Sequence, residues 1–181
     1  MDNGASSYRR YLDGEEAAFD DIMKELFDSL VFFIDRYVHD PYAAEDIAID
    51  AFSDLLVHRH RYNFKVQLKT YLFMIGRSRA LNYLKRRNRI SMLPLDEAAS
   101  VADRKTMEET VLTDETKRMV NAALAQLLEE MRLAVHLVYF ESLSYEEAAR
   151  VMKKSRKQID NLLYRAKKQL RTILEKEGAE Q

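Results

Sequence analysis

Apolar residues recur along this chain mostly at intervals of three and four, the spacing that builds one buried face on an α-helix. Phe19, Ile22, Met23, Leu26, Phe27, Leu30, Phe33, Ile34 and Tyr37 make a wide apolar stripe and predict a first helix over 15–38. Asp40-Pro41 is a start signal. Asp can accept from a free N–H as an N-cap, and Pro suits the first helical position, whose N–H has no partner anyway. The second helix runs on from there, with Ala44, Ile47, Ala48, Ala51 and Leu55 as its buried stripe. HRHRYNF, 58–64, has no helical period and reads as a loop. A third helix over 66–89 carries Leu68, Tyr71, Leu72, Ile75 and Tyr83.

The period then fades. SMLPLDEAASVADRKTMEET contains Pro94 and little apolar patterning, and reads as a linker. The expected fold is all-α: two small helical domains, 1–92 and 114–181, joined by a flexible linker over 93–113. The helical period resumes at Asp114 with Val120, Ala123, Leu124, Leu127 and Leu128, and continues through Leu133, Val135, Leu137, Val138 and Phe140.

The last third holds the sharpest local signal. Ser144 is followed three residues on by Glu147, and Ser155 three residues on by Gln158. Each pair fits a capping box, in which hydroxyl and returning side chain satisfy free N–H groups at a helix start. They predict a short helix over 144–152, a tight turn at Lys153-Lys154, and a longer helix over 156–176 with Ile159, Leu162, Leu163, Ala166, Leu170 and Ile173 buried. Ala148 and Ala149 are small where two helices must cross closely. This is the layout of a helix-turn-helix, whose second helix enters the major groove, although any helical hairpin could share the spacing.

Composition narrows the class. The 181 residues include only four Gly and two Pro, too few to punctuate a many-stranded fold. With no Cys there is no disulfide framework, thiolate metal site or thiol nucleophile. No apolar run approaches the roughly 20 residues that span a bilayer, and the N-terminus lacks a secretory pattern, so a cytoplasmic protein without membrane insertion is expected.

The net charge of −1 hides a strong pattern. From Asp13 to Val57 thirteen acidic residues face only Lys24 and Arg36, whereas His58 to Met92 has ten Lys or Arg and no acid. The chain turns acidic again, and Lys153 to Arg171 then carries eight basic residues against Asp160 alone. Two basic blocks between acidic ones suit two nucleic-acid contacts plus a separate cationic partner; solvated helix faces are the plain alternative. On the last helix, Lys157, Asn161, Tyr164 and Lys168 fall on one line opposite the buried stripe, flanked by Asp160, Arg165 and Arg171. Lys and Arg suit phosphates and guanine edges, Asn can pair with adenine, and an acid can accept from cytosine N4. There is no glycine-rich phosphate loop and no H-E-x-x-H motif, and His39, His58, His60 and His136 are dispersed; neither catalysis, a metal nor a cofactor is expected.

These residues resemble a known family, the extracytoplasmic-function sigma factors, compact two-domain members of the bacterial sigma group. DPYAAEDIAIDAFSDLL resembles the family's D-x-x-x-A-E-D-x-x-Q-E-x-F helix. LKTYLFMIGRSRALNYLKRRNR resembles W-L-x-x-I-A-x-N-x-x-x-D-x-x-R-R-x-R, and LLEEMRLAVHLVYFESLSYEEAARVMKKSRKQIDNLLYRAKKQL resembles the C-terminal domain almost throughout. The resemblance covers 15–172, with three blocks in order. There are departures: Ile49 replaces Gln, Asp50 Glu, Tyr71 Trp, Gly76 Ala, and Ser78 the Asn thought to touch promoter DNA. Lys153 stands where a turn Gly is frequent, and Gln158-Ile159-Asp160-Asn161 replaces Thr-Val-Lys-Ser. They imply that the promoter read is not the family's commonest.

The resemblance implies a factor that binds core RNA polymerase, directs it to promoters and helps open them, with no catalytic residue of its own. Asp46, Asp50 and Asp54 would dock on the basic clamp helices of the largest subunit. His60, Arg61, Tyr62, Asn63, Phe64, Lys65, Lys69, Tyr71, Arg77, Ser78, Arg79, Asn82 and Arg86 would hold the minus-ten element as separated strand, which needs cations along a backbone and surfaces for unstacked bases. Tyr62 and Phe64 could equally be core plugs for the loop. Ser155, Arg156, Lys157, Gln158, Asp160, Asn161, Tyr164, Arg165 and Lys168 would read the minus-thirty-five element as duplex. An anti-sigma factor is a further implied partner. A helix-turn-helix regulator acting without polymerase, and a purely protein-binding helical adaptor, are the competing classes.

Overall fold

A computed structural model describes residues 4–91 and 115–179, and every regular element among these is helical. The chain separates into two compact units, Met1–Met107 and Glu108–Gln181. The expected linker, 93–113, and the resumption at Asp114 lie outside the described residues. None of the described helices is long and apolar enough to cross a membrane.

The first unit contains α1 (Ala5–Leu12), α2 (Ala17–Val38), α3 (Pro41–Val57) and α4 (Leu68–Ser91). α2 is its centre and packs on α1, α3 and α4. Ile22, Leu26, Leu30, Phe33 and Ile34 are essentially sealed from solvent, as the three-and-four spacing requires. Asp40 caps α3 as expected, its carboxylate accepting from the Ala43 N–H at 3.4 Å, with Pro41 at the first position. Leu68, Leu72, Phe73 and Ala80 bury the inner face of α4, and the Phe33 and Phe73 ring centroids lie 4.8 Å apart.

Gly76 lets α4 approach α2 closely. A Cβ there would lie 2.9 Å from Leu30 Cδ1 and 3.1 Å from Ile34 Cδ1, inside a core with no slack. Ala gains about 1 kcal/mol over Gly in a helix interior. Forcing a methyl against two sealed side chains costs about 1–3 kcal/mol. We therefore expect Gly76→Ala to lower the stability of this unit by about 1 kcal/mol, read as a fall in its denaturant midpoint. A rise would mean that α2 yields freely.

Asp35 is a buried acid on α2, 4 % exposed, with Oδ1 unpartnered. Burial raises its carboxyl above the usual range, against the pull of His39, Arg36 and the Asp40 N–H. A raised folded value means the folded state holds the proton more tightly. Its contribution to stability is therefore fully present below the ordinary carboxylate range and is lost as pH rises through the folded value. Asp35→Asn removes that loss. Its melting temperature is expected to exceed the parent's at pH 7, by about 1 kcal/mol of stability, and to converge on it near pH 3.

The sequence pattern missed α1. Eight residues with only Tyr8 and Tyr11 buried give too little periodicity to mark a helix, and so short a helix is marginal on its own. Packing supplies the rest. Tyr8 is sealed, its hydroxyl donates between the Leu55 and Arg59 carbonyls at 3.1 and 3.0 Å, and burial pushes its phenol up to about 12.

The second unit contains α5 (Glu115–Ala125), α6 (Glu129–Val135), α7 (Tyr145–Met152) and α8 (Arg156–Ala179). The continuous helix expected through 140 is interrupted twice. Leu128 turns extended and starts α6, and Arg132 donates 2.9 Å bonds to the Ala125 and Leu127 carbonyls that the break frees. Beyond α6 the backbone widens into a π turn over His136–Phe140, which rotates Phe140 out to 59 % exposure. Leu128 and Phe140 are thus not the core residues their spacing suggests. α7 and α8 follow the expected boundaries closely, and α8 packs on α5, α6 and α7.

Candidate nucleic-acid and polymerase interfaces

α3 presents an outer face that is both acidic and apolar. Asp46 and Asp50 are exposed, one helical turn apart, and between and beside them stand Tyr42, Ile49 and Val57, 77, 47 and 75 % exposed. The exposed apolar residues were visible as residue types, but their outward position was not expected. Asp54 departs from the predicted stripe. Its side chain is 21 % exposed and its carboxylate is taken up inside the unit, 2.9 Å from His58 Nδ1, 3.6 Å from Arg61 Nη1 and 3.3 Å from Arg79 Nη2. It does not face outward with the other two.

The loop between α3 and α4 is held against α1. Tyr62 is 3 % exposed, with its hydroxyl donating to the Val66 carbonyl at 2.7 Å and its ring among those of Tyr8, Phe64 and Tyr71. Of the two readings left open for Tyr62, the core plug holds in this conformation; a sealed ring offers no stacking surface. Phe64 is half-buried and adopts φ 59°, a left-handed conformation costly for a bulky side chain, with Arg9 over its ring at 4.9 Å. The Asn63 carboxamide oxygen accepts from the Lys65 N–H at 3.1 Å and shapes that turn. Arg9 and Arg59 join this surface without having been predicted, because α1 was not foreseen. Arg59 lies over the Tyr11 ring at 4.8 Å.

Along α4 the helical repeat sorts the predicted contacts. By that repeat Tyr71, Ser78, Asn82 and Arg86 share one face, and His60, Arg61, Asn63 and Lys65 of the loop are exposed polar and cationic residues of the same unit. Arg79 lies at the edge of that face, bridging Asp50 and Asp54 at 3.3 Å each. Arg77 is half-buried on a different side of α4, and Lys69 lies 5.9 Å from the Phe73 ring. Neither is brought to the shared face. Burial raises the Tyr71 phenol, and the Asp54 charge raises it further.

In the second unit both capping boxes form. Ser144 and Glu147 exchange the reciprocal bonds at α7. At α8 the Ser155 N–H donates to Gln158 Oε1 at 2.7 Å and the Gln158 N–H to Ser155 Oγ at 3.2 Å. Ser155 and Gln158, both among the expected minus-thirty-five contacts, thus have their side-chain oxygens engaged in the cap. Arg156 reaches back to Glu146 at 2.8 Å. Lys153 takes the left-handed position at the end of α7, φ 53°, where Gly is the unstrained choice. The remaining predicted residues are all exposed on α8: Lys157, Asp160, Asn161, Tyr164, Arg165 and Lys168, with Tyr164 at 71 %. Ile159, Leu163 and Ala166 are sealed beneath them. A helix entering the major groove by its first turns would present these six.

Comparison with known proteins agrees with both units. Residues 22–90 match the Sigma-70 region 2 model and residues 117–170 the Sigma-70, region 4 model. The RNA polymerase sigma-H factor of Pseudomonas aeruginosa is 30 % identical over 173 residues, covering 90 % of this chain and 89 % of that one. The ECF RNA polymerase sigma factor SigM of Bacillus subtilis is 23 % identical over 154 residues, 85 % and 93 % of the two chains. Among solved structures, the sigma factor RpoE bound to the anti-sigma factor NepR from Bartonella quintana shares the fold at TM-score 0.62, with 20 % identity over 87 % of this chain and 96 % of that one. CnrH in complex with the cytosolic domain of CnrY does so at 0.60, with 18 % identity over 96 % and 95 %. The region 2 match begins inside α2, so α1 and its hold on the loop lie outside it. With region 2 and region 4 in order and a relative matching along nearly the whole length, this chain belongs to the extracytoplasmic-function sigma factors, non-enzymatic initiation factors that direct RNA polymerase to promoters.

Proposed function

We propose that the two units divide promoter recognition between separated strand and duplex. Residues 1–92 dock on core polymerase and hold the minus-ten element, residues 114–181 read the minus-thirty-five element, and 93–113 join them. Docking uses Asp46 and Asp50, set among Tyr42, Ile49 and Val57; a cationic coiled coil with an apolar ridge complements that face. Asp54, neutralised from within, is left out of the docking set.

The minus-ten strand is taken by His60, Arg61, Asn63, Lys65, Ser78, Asn82 and Arg86, with Phe64 and Tyr71 as half-buried edges against which an unstacked base can rest. Binding one strand in preference to the duplex shifts the melting equilibrium, so opening needs no catalytic group. The minus-thirty-five duplex is read by Asp160, Asn161 and Tyr164, while Lys157, Arg165 and Lys168 meet phosphate. Action on chromosomal DNA with polymerase supports a cytoplasmic location. An anti-sigma factor is a fitting regulator, since RpoE, whose fold this chain shares, was solved with one.

The observation that carries this reading is the placement of two exposed cationic faces on separate units, one matching region 2 and the other region 4, beside an exposed acidic stripe. The test is transcription by core polymerase plus this protein on sheared DNA from the source organism, with the 5′ ends sequenced. Starts sharing two upstream elements, one near minus ten and one near minus thirty-five, are expected. Starts sharing one element or none would overturn the division.

A further inference from the structure

Asp54 is a half-buried carboxylate engaged by three side chains, His58, Arg61 and Arg79. Its Oδ1 sits 2.9 Å from His58 Nδ1 and 3.6 Å from Arg61 Nη1, and its Oδ2 sits 3.3 Å from Arg79 Nη2. The second terminal nitrogen of Arg79 reaches Asp50 at 3.3 Å. His58 and Arg61 begin the loop and Arg79 lies halfway along α4, so one side chain on α3 ties together the parts of the strand-binding face. The Asp54 carbonyl also accepts the His58 N–H at 3.0 Å, so the same residue closes α3.

We infer that Asp54 is a positioning residue for promoter-strand recognition: it fixes the Arg61 and Arg79 guanidinium groups at the edge of the minus-ten face and offsets part of their charge. The inference rests on the strand-binding role proposed for that face. Its physical basis is a competition. A guanidinium pre-paired with a fixed carboxylate points one way and attracts stray phosphate less than a free one. Nonspecific binding to nucleic acid is almost wholly a matter of such cations, each phosphate contact adding about 0.7 to the salt slope on a single strand. A carboxylate here lowers general affinity and leaves recognition to side chains held in one geometry. Asp46, which is exposed on the outer face, has no such position.

The test uses the full-length chain and two readouts. The first is affinity for core RNA polymerase. The second is affinity for a 15-nucleotide oligo-dT, a single strand without promoter sequence, at two salt concentrations. Asp54→Asn is nearly isosteric, and its fold is checked by circular dichroism. It is expected to keep polymerase affinity within about twofold, to bind oligo-dT about three- to tenfold more tightly at low salt, and to steepen the salt slope by about 0.7. Asp54→Glu keeps the charge and is expected to behave like the parent, which also covers the case in which Asp54→Asn does not fold: Glu binding oligo-dT as the Asn variant should would then overturn the inference. In the Arg61→Ala, Arg79→Ala background, the gain from Asp54→Asn is expected to shrink to less than about twofold, because the two guanidinium groups it would release are gone. A loss of polymerase affinity with unchanged oligo-dT binding makes Asp54 a docking acid and overturns the inference while leaving the strand-binding face intact. An equal gain with and without the two arginines overturns it as well. If no variant nor the parent binds oligo-dT, the strand-binding reading fails and this inference with it.

Discussion

Charge reversal at Asp46 and Asp50 together is expected to weaken the complex with core RNA polymerase by several kcal/mol, a loss of at least a hundredfold in affinity. Both acids are exposed on the outer face of α3, one turn apart, so a partner helix laid along α3 meets them as a pair. Arg at both positions replaces two attractions with two repulsions against a basic coiled coil, and the exposed Ile49 between them brings the charges into a partly desolvated contact. Asp50 also holds one arm of Arg79, and Asp54 retains the other, so the fold of α3 against α4 should survive the change. Asp54→Asn serves as the contrast and should leave this affinity nearly intact. The measurement is titration of labelled protein with core enzyme at two ionic strengths. Undiminished affinity of a folded double variant would remove α3 from the interface.

The second large effect separates reading from holding on α8. Asn161 and Tyr164 stand in the middle of the exposed line, over the sealed Ile159, Leu163 and Ala166, where a helix in the major groove brings side chains to base edges. Asn161→Ala is expected to relax selectivity at one or two minus-thirty-five positions and to cost roughly 1–3 kcal/mol on the preferred site. Lys168 lies about two turns further from the start of α8 and meets backbone. Lys168→Ala should weaken all sequences about equally and reduce the salt slope by about one. Asp160→Ala raises nonspecific affinity, and lowers selectivity as well if the acid accepts from a base. Binding to a library of minus-thirty-five variants at two salt concentrations reads all three. The same uniform loss from Asn161→Ala and Lys168→Ala would mean that α8 does not read bases.

Where local signals act alone, the chain was legible. Asp40-Pro41, Ser144 with Glu147, and Ser155 with Gln158 set helix starts through hydrogen bonds spanning three residues, and the structure forms each of them. The buried faces of α2 and α8 follow the helical period because a long amphipathic helix has only one side to bury. The break at Leu128 and the π turn at His136–Phe140 carry no Gly or Pro, and periodicity alone runs straight through both; at the break the Arg132 side chain satisfies the freed carbonyls. α1 was hidden for a related reason, since its stability comes from the loop and helices it covers.

The candidate sites divide along the same line. Residue types and spacing place Lys157, Asn161, Tyr164 and Lys168 on one exposed face, as found. Spacing alone also put Asp54 on the stripe with Asp46 and Asp50, one turn each. Which way a carboxylate turns depends on where the cations of other elements come to rest, and His58, Arg61 and Arg79 reach Asp54 only through the packing of the loop and α4 on α3. Tyr62 is similar: its type suits stacking, but α1 closes over it.

The account turns on separate faces for separated strand and duplex, and site-specific photocrosslinking tests that directly. A benzophenone side chain is placed at position 82 on α4 or at position 161 on α8, and the labelled protein is assembled with core polymerase on a promoter taken from the mapped starts. Position 82 is expected to crosslink one strand only, at the minus-ten element, and only in the opened complex. Position 161 is expected to crosslink the minus-thirty-five duplex before and after opening. Crosslinks from position 82 to duplex DNA in the closed complex, or from position 161 to the melted region, would contradict the division of labour between the two units.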